Sequence, residues 1–414
     1  MIEARDRGSA ARAGTLRTAH GEIRTPAFVP LASTATVRGL LPAEVAALGI
    51  EIVLGNTFHL MLNPGPEEIS RLGGLHSFMG WDGPIVTDSG GFQVFSMGHG
   101  TVADEIKSRP SRRPSRSRSE KEREGAILAI EEQGVRFRSY VDGRERFLTP
   151  EGSMEVQAVL GSDIALVFDE CTPFHVDRDY TARSTERTHR WLARCLSWQR
   201  EHGPDGQLVY GIVQGGVYED LRRESSATVA VSGCDGVAIG GSLGAGKEQM
   251  YEVVAMALAE LGGVHELLPR HLLGIGEIDD LIAGVELGID TFDCAMPTRL
   301  GRHGTALVPD PEKRWRADLR KHGWAGDARP LIDGCPCPAC ATGLSRAYLS
   351  YLVRSSEITA MRLLTAHNIA FAAAVMATLR DAVVEGRLAA AAAAIRSGQA
   401  PLMTGGVAPR ATGA

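Results

Sequence analysis

The chain has 414 residues, of which 44% are hydrophobic and 23% are charged, and these proportions exclude a wholly disordered or fibrous protein. Its 44 basic and 50 acidic residues give a net charge of −6, which argues against a partner, such as nucleic acid, that is held by bulk positive charge. No apolar stretch approaches the roughly 20 uninterrupted residues that cross a bilayer, and the first seven residues mix charges where a signal peptide would be apolar.

Seven cysteines are present, and three of them fall within positions 335–340. This clustering suits a reducing compartment and a metal site better than a disulfide framework. We therefore expect a cytoplasmic protein with no membrane partner.

Short apolar runs that end in polar or glycine residues recur along the chain. They lie at 27–30, 52–56, 85–91, 164–170, 209–216, 237–241, 272–277 and 291–294. Such runs are typical of strands buried on both faces of a parallel sheet. Helical periodicity separates them at 42–48, 184–202, 247–261 and 279–287. About eight alternations of strand and helix predict an irregular (β/α)8 barrel, with a doubly wound open sheet as the alternative.

The ends of these predicted strands carry candidate functional residues: Asp88, Asp169, Gln214, Gly241 with its neighbour Gly240, and Asp293. Active sites of (β/α)8 barrels lie at the C-terminal ends of the strands. A single polar residue there can equally cap a helix or fill a turn, but five from different strands indicate a common site.

Three segments interrupt the alternation. The run at 107–124 carries eight basic and three acidic residues among serines and prolines, and we expect it to be a disordered insertion. We assign 1–334 and 368–396 to the catalytic barrel, 335–367 to an inserted metal-binding subdomain and 397–414 to a flexible tail. A long helix from about 356 to 385 overlaps the end of the subdomain.

Cys335, Cys337 and Cys340 place three thiols in one tight loop. A soft tetrahedral metal needs three or four such ligands, and zinc is the usual occupant. We predict His367 as the fourth ligand, with Cys294 and other histidines as alternatives. A closed Cys3His set leaves no position for water and is therefore expected to be structural.

Asp88 and Asp293 form a pair of carboxylates at two strand ends. Two carboxylates that face one sugar carbon are what a double-displacement glycosyl transfer needs, because one attacks and the other moves protons. The residues alone do not show which carboxylate attacks and which moves protons. The pair would equally suit proton abstraction or metal-assisted hydrolysis.

The motifs around these residues resemble those of tRNA-guanine transglycosylases of the bacterial type, in unbroken order from about Thr25 to Glu385. The matching stretches are GPIVTDSGGFQVFS at 83–96, FDEC at 168–171, GIVQGG at 211–216, FDCAMPTR at 292–299 and CPCPAC at 335–340 with His367. The resemblance implies exchange of the wobble guanine of GUN anticodons for preQ1 (7-aminomethyl-7-deazaguanine) in queuosine biosynthesis. It implies Asp293 as the nucleophile on C1′ of the ribose, and Asp88 as the general acid and base.

The base pocket follows from the donors and acceptors of guanine. The N1–H and N2–H donors call for a carboxylate, which Asp169 supplies, and the O6 acceptor calls for the amide of Gln214 and the backbone N–H of Gly241. Phe92 offers a stacking face. We also place two residues of the matching motifs in this pocket, Ser89 and Cys171. Cys171 resembles the bacterial form, which favours preQ1 over queuine.

Arg299 and Arg302 match positions where the family touches the bases flanking the target. The resemblance further implies a homodimer in which one subunit helps to orient the tRNA. Two stretches depart from the family pattern. The stretch at 242–247 leaves the details of preQ1 binding open, and the 107–124 run either grips tRNA phosphates or is a passive linker.

Other classes of protein remain alternatives at this point. A non-catalytic tRNA-binding homologue acting as a partner subunit would be expected to lose the carboxylates, which this chain keeps. An unrelated barrel hydrolase would explain the carboxylates but not the ordered motifs. An archaeal-type enzyme would need a further RNA-binding domain, which we do not expect here. Without the 107–124 run the charge is −11, from 36 basic and 47 acidic residues, so RNA binding must depend on local arginine clusters.

Overall fold

A computed structural model describes residues 2–98, 127–172 and 176–403 of the chain. The predicted insertion at 107–124 lies outside these residues, as does the tail beyond residue 403. The strands of the described residues are β1 (Ile2–Arg5), β2 (Arg12–Thr18), β3 (Gly21–Thr25), β4 (Ala27–Ala32), β5 (Val53–Gly55), β6 (Ile85–Thr87), β7 (Ile127–Ile130), β8 (Val135–Arg138), β9 (Glu145–Leu148), β10 (Ile164–Leu166), β11 (Leu208–Val213), β12 (Gly236–Ile239), β13 (Arg270–Leu272), β14 (Thr291–Cys294), β15 (Thr305–Leu307) and β16 (Arg316–Asp318).

Eight of these strands form a closed parallel barrel in the order β4-β5-β6-β10-β11-β12-β13-β14. The last strand pairs with the first, with Asp293 opposite Val29, so the sheet has no free edge. Seven of these strands lie largely within the predicted apolar runs, whereas β13 (Arg270–Leu272) overlaps the run at 272–277 only at Leu272. The predicted (β/α)8 barrel is therefore confirmed, and the open doubly wound sheet is excluded because the barrel closes.

Helices surround the barrel, and they are α1 (Pro42–Ala47), α2 (Thr57–Leu62), α3 (Pro66–Arg71), α4 (Gly74–Met79), α5 (Gly91–Gly98), α6 (Pro150–Leu160), α7 (Arg178–His202), α8 (Glu219–Val231), α9 (Lys247–Leu258), α10 (Ile278–Glu286), α11 (Met296–Arg302), α12 (Pro338–Ala341), α13 (Arg346–Arg354), α14 (Ile358–Val384) and α15 (Leu388–Arg396). Local sequence explains their starts. Thr149 caps α6 by accepting the N–H of Gly152, and Asp177 caps α7 by accepting the N–H of Tyr180, as short polar side chains do at helix N-termini.

The strands β1–β3 form an antiparallel sheet that the sequence analysis did not predict. This sheet covers the N-terminal ends of the barrel strands. Arg12 on β2 pairs with Asp290, the residue before β14, and His20 contacts Asp163, the residue before β10. A second three-stranded antiparallel sheet, β7–β9, follows the undescribed segment, and β15 pairs with β16.

The long helix α14 was predicted from the sequence and is confirmed within two residues at each end. It packs against α11, β4 and the strands β1 and β2, and it runs without a break across the predicted boundary at 367/368. By length and composition α14 could cross a membrane, but 67% of its most apolar window is buried inside the protein.

Candidate active site and metal centre

The predicted site residues meet at the C-terminal ends of the barrel strands. Asp88 follows β6 directly, Asp169 comes three residues after β10, and Gln214 follows β11 directly. Gly241 lies two residues after β12, and Asp293 is the third residue of β14. The closed barrel thus brings to one rim groups that are far apart in the chain.

Asp88 is hydrogen bonded on both carboxylate oxygens. Its Oδ1 accepts the backbone N–H groups of Thr57 at 2.9 Å and Gly90 at 3.2 Å. Its Oδ2 accepts the side-chain amides of Asn56 and of Gln93, the latter at 3.0 Å. The carboxylate is therefore held in one orientation by groups from two neighbouring strand ends.

Burial raises the pKa of Asp88 to about 7, well above the usual range for aspartate, because a charged carboxylate loses solvation there. The backbone hydrogen bonds from Thr57 and Gly90 lower the pKa and so oppose this effect. The negative charge of Asp293 raises it. At neutral pH this carboxyl group can therefore both give and take a proton.

Asp293 is buried, with 6% of its surface exposed. Its Oδ1 accepts the backbone N–H of Gly274 at 2.9 Å. Nε2 of His271 lies 3.2 Å from the same oxygen, although the alignment is not that of a hydrogen bond. Nδ1 of His271 lies 2.8 Å from Oγ1 of Thr291, which fixes the orientation of the ring.

Asp169 lies deeper in the pocket and has two side-chain donors. Ser89 Oγ donates to its Oδ1 at 3.0 Å, and Gln214 Nε2 donates to its Oδ2 at 2.6 Å. Burial raises the pKa of Asp169 to about 6, against the lowering effect of these hydrogen bonds. The group is therefore mostly ionised at neutral pH and can accept hydrogen bonds from a ligand. Gly91 makes room for it, since a Cβ there would lie 2.7 Å from the Asp169 carbonyl oxygen.

Gln214 and Gly241 lie against each other. Gly241 has a φ of +76°, and a Cβ at this position would lie 2.2 Å from Oε1 of Gln214, so only glycine fits. Oε1 of Gln214 and Oγ of Ser242 are buried, and neither has a hydrogen-bond partner among the described residues. Buried polar atoms without partners are uncommon, and these two are available to accept or donate a hydrogen bond if the turn opens to a polar ligand.

Arg222 holds the two turns that carry these groups. It is fully buried, and its guanidinium donates to the carbonyl oxygens of Val213 at 3.0 Å, Gly216 at 2.7 Å, Gly240 at 2.8 Å and Ser242 at 2.9 Å. Burial lowers its pKa to about 9. The backbone on both sides of the two predicted base-binding residues is therefore fixed by a single side chain.

Two further predicted pocket residues lie at the same rim. Phe92, the second residue of α5, is half-buried and packs against the core. Cys171 is buried, and burial and then the charge of Asp169 raise the pKa of its thiol above its usual range. Cys171 is therefore a neutral thiol, next to the backbone of Gly241.

The predicted RNA-binding arginines lie on α11, which begins two residues after β14. Arg299 and Arg302 are both half-buried. Burial lowers the pKa of Arg302, and the charges of Arg38 and Arg299 lower it further. Three arginines therefore lie close together beside the strand that carries Asp293, and the sequence analysis did not identify Arg38.

The metal cluster consists of Cys335, Cys337, Cys340 and His367, whose ligand atoms converge on one point. The Sγ atoms lie 3.6, 3.4 and 3.6 Å from Nδ1 of His367, in that order. Tetrahedral coordination with bonds of about 2.3 Å to sulfur and about 2.1 Å to nitrogen would place sulfur and nitrogen about 3.6 Å apart. Nε2 of His367 lies 2.8 Å from the Leu307 carbonyl oxygen, a contact that leaves Nδ1 as the ligand. The four residues therefore fit a metal ion.

Sequence reasoning missed several residues around the two carboxylates, chiefly Asn56, Gln93, His271 and Arg222. Asn56 and Gln93 lie in motifs that were recognised, but nothing in a linear pattern shows that both reach Asp88. His271 lies on β13, whose apolar run was taken to begin at residue 272. His271 directly precedes this run in the sequence, and its position was the only indication that the strand begins earlier.

A closed parallel barrel with buried carboxylates at its C-terminal rim is the architecture of a barrel enzyme, and the Cys3His cluster near its C-terminus could hold a metal ion. The profile of the queuine tRNA-ribosyltransferase family matches residues 6–400. A protein of Roseiflexus sp. (strain RS-1) with the name queuine tRNA-ribosyltransferase is 49% identical over 397 residues, which cover 94% of this chain and 96% of the relative.

Two further proteins with the same name are similar over most of their length. The protein of Sphingopyxis alaskensis is 44% identical, with 92% of this chain and 93% of the relative covered. The protein of Pelotomaculum thermopropionicum is 43% identical, with 94% and 95% covered. The chain therefore belongs to the queuine tRNA-ribosyltransferase family, a family of transferases that act on tRNA. The resemblance read from the motifs is confirmed.

Proposed function

We propose that the protein is a tRNA-guanine transglycosylase that exchanges the wobble guanine of GUN anticodons for preQ1, in queuosine biosynthesis. The observation that carries this proposal is the pair Asp88 and Asp293, which lie close enough at one rim for the charge of one to raise the pKa of the other. A buried carboxyl group that can carry a proton at neutral pH, beside a second carboxylate, suits a reaction in which one group moves protons and the other attacks.

In the first half of the proposed reaction, Asp293 attacks C1′ of the ribose and the bond to guanine breaks. The protonated Asp88 gives its proton to the departing base. The product is a covalent ester between RNA and enzyme. Because Gly274 and His271 both face Oδ1 of Asp293, we assign the attack to Oδ2.

In the second half, the incoming base attacks C1′ and the ester bond to Asp293 breaks. Asp88, now ionised, takes the proton that the new base loses, and both carboxyl groups return to their starting states. Two displacements give net retention at C1′. One glycosidic bond replaces another, so the exchange requires no nucleoside triphosphate.

Base recognition in this proposal depends on Asp169, Gln214 and Gly241. Asp169 accepts from the N1–H and N2–H groups of the base, since it is mostly ionised at neutral pH. Gln214 Nε2 already donates one hydrogen to Asp169, which leaves its second hydrogen and the N–H of Gly241 for O6. Phe92, Ser89 and Cys171 complete the pocket.

The turn after Gly241 distinguishes this chain from the usual family pattern. Ser242 has a buried hydroxyl without a partner among the described residues, at the place expected to receive the substituent of the deazaguanine. We propose that this hydroxyl contributes to recognition of the aminomethyl group of preQ1.

We further propose that the Cys3His cluster holds a structural zinc ion. Three thiolates and one imidazole form a closed tetrahedral set for zinc. When bound, the ion would supply no chemistry to the base exchange and would fix the loop at 335–340 to α14. RNA contact by Arg299 and Arg302, a homodimer and a cytoplasmic location are likewise part of this proposal.

The test is the incorporation of radiolabelled guanine into unmodified tRNA with a GUN anticodon. We expect incorporation by the wild-type protein and none into a tRNA whose wobble base is adenine. Absence of incorporation by folded, zinc-loaded protein would contradict the catalytic function and favour the non-catalytic homologue.

The roles of the two carboxylates are tested separately. Asp293→Ala should abolish a denaturation-resistant adduct between protein and RNA, and Asp88→Asn should slow its formation because guanine then leaves without the proton of Asp88. His202→Ala changes an exposed residue away from the rim and is the control that should keep the adduct. An adduct that survives in Asp293→Ala would reassign the nucleophile.

A further inference from the structure

A second cluster of potential metal ligands lies at the opposite end of the barrel from the active site. It consists of His20, His76 and Asp163, whose ligand atoms all lie within 4.8 Å of one another. His20 lies in the turn between β2 and β3, His76 on α4, and Asp163 directly before β10. The proposed base exchange uses none of these three residues.

The two imidazoles converge on one carboxylate. Nδ1 of His20 lies 2.9 Å from Oδ1 of Asp163, and Nε2 of His76 lies 3.1 Å from Oδ2. The rings stack with centroids 3.6 Å apart and an angle of 20° between their planes. The two ring nitrogens thus face the two different oxygens of one carboxylate, and the histidines come from two elements that the chain brings together only on folding.

The carboxylate is fixed independently of the imidazoles. The side chain of Asp163 is fully buried, and its oxygens accept the backbone N–H groups of His20 at 3.0 Å and Ile85 at 2.8 Å. Asp163 would therefore keep its position if the ring nitrogens turned from hydrogen-bond donors into metal ligands. The side chain of His20 is 44% exposed, which leaves an open side for water.

We propose that His20, His76 and Asp163 form a site for a divalent transition-metal ion of the zinc, nickel or cobalt class. Two ligands at a right angle with bonds of about 2.1 Å are about 3.0 Å apart, which matches both nitrogen–oxygen distances. Imidazole with carboxylate is a ligand set for these metals, and two histidines with one carboxylate leave positions for solvent.

A metal ion at this site would link the N-terminal sheet to the barrel. The site joins the turn between β2 and β3 to α4 and to the start of β10. An ion that binds only the folded protein stabilises it by an amount that grows with the logarithm of the ion concentration. The alternative is that two neutral imidazoles each donate an N–H to Asp163 without any ion.

The test is the metal content of the full-length protein after equilibrium dialysis against zinc at about 10 µM free ion, followed by elemental analysis. We expect two zinc ions per chain in the wild type and one in His20→Ala and in His76→Ala. Loss of an outer-shell partner already weakens metal binding about 10- to 100-fold, and loss of a ligand should weaken it by more. His202→Ala removes an exposed histidine elsewhere and should retain two ions.

Cobalt identifies the ligands directly in the wild-type protein. With the Cys3His cluster filled by zinc, added Co2+ should give visible bands without sulfur-to-metal charge transfer, and anomalous scattering in a crystal should locate it at His20 and His76. One zinc ion per wild-type chain, or a second ion that persists in both histidine variants, would overturn the proposal. If a histidine variant fails to fold, anomalous scattering from the wild-type protein still shows whether His20 and His76 bind the ion.

Discussion

Asp88 shows how opposing effects set the behaviour of one carboxyl group. Hydrogen bonds from Thr57 and Asn56 favour its anion, whereas burial and the nearby charge of Asp293 favour its neutral form. Burial and the charge of Asp293 have the larger effect, and the pKa of Asp88 is therefore about 7. Proton transfer is most efficient when the pKa of the transferring group lies near the working pH, and a more exposed carboxylate would not meet that condition.

This value predicts opposite pH dependences for the two halves of the exchange. Release of guanine from tRNA requires protonated Asp88, so its single-turnover rate should fall as the pH rises through about 7. In the proposed second step, attack by the incoming base on the adduct requires ionised Asp88, so its rate should rise with pH. This rise should lie at lower pH than the fall of the first step, because the ester removes the charge of Asp293 that raises the pKa of Asp88. Rapid-quench measurements from about pH 5.5 to about pH 8.5 would give the pH dependence of both rates. If both rates changed in the same direction with pH, the role of Asp88 as acid and then base would be contradicted.

His271 contacts the proposed nucleophile without touching the base pocket. We expect His271→Phe to lower kcat for guanine exchange about 10-fold, the effect of removing one polar interaction of about 1.4 kcal/mol. The KM for guanine should change little. Thr291→Val is the matched variant, since it keeps the imidazole and removes only the partner of Nδ1, and its effect should be smaller. An unchanged kcat in His271→Phe would mean that the interaction has no catalytic consequence.

Individual residues of the site could be predicted from the sequence where they stand in a recognisable motif. Asp88, Asp169 and Asp293 stand at the ends of apolar runs, and parallel strands place such ends at one rim. His271 and Arg222 could not be found in this way. His271 is buried inside a strand, and Arg222 lies on α8, with contacts that depend on how that helix packs against the turns after β11 and β12.

The helix α14 links the metal cluster to the active-site rim. His367 belongs to the cluster, and the next residue, Asn368, donates to the carbonyl oxygens of Pro297 and Thr305, each at 3.0 Å. Gly301 of α11 comes so close to α14 that a Cβ would lie 2.6 Å from the backbone nitrogen of Thr365. The cluster therefore supports the helix that carries Arg299 and Arg302.

Removal of the metal should loosen this part of the molecule and leave the barrel folded. We expect chelation to increase amide hydrogen exchange in 335–367 and in α11, while β10–β12 remain protected. Binding of tRNA should weaken, because the two arginines lose their support. If the chelated protein kept this protection and its affinity for tRNA but lost turnover, a catalytic metal would have to be considered.

The elements outside the barrel were the least predictable. The strands β1–β3 and β7–β9 are antiparallel and partly exposed, and most of them lack the continuous apolar runs that identify buried parallel strands. Charged residues interrupt β1, β2, β3, β8 and β9, whereas β7 is apolar throughout but only four residues long. The pairing partners of such strands are set by tertiary contacts, for instance between Arg12 and Asp290, rather than by local preference.

The net charge of the molecule disfavours RNA binding, whereas the local cluster of arginines favours it. The chain carries −6 in total and −11 without the 107–124 run, yet Arg38, Arg299 and Arg302 lie together beside the strand of Asp293. Long-range attraction of tRNA should therefore be weak. We expect affinity to depend on the proposed contacts of these arginines and on the eight basic residues of the run.

Deletion of 107–124 tests the contribution of the run. If the run neutralises tRNA phosphates, the slope of log affinity against log salt should become less steep by about 0.7 to 0.9 for each phosphate that the shortened protein no longer neutralises. Replacement of its basic residues by serine at constant length is the control for linker length. An unchanged slope in both variants would favour a passive linker.

The closure of the barrel between β14 and β4 has a consequence for the order in which the protein matures on the ribosome. Asp293 lies in the strand that completes the ring, so the rim cannot form until more than two thirds of the chain has been synthesised. The helix α14, which packs on β1, β2 and β4, is made later still. Chains usually fold from the N-terminus as they emerge, but here the first strands must wait for the last ones. A nascent chain of this protein should therefore remain inactive towards tRNA until α14 has left the ribosome.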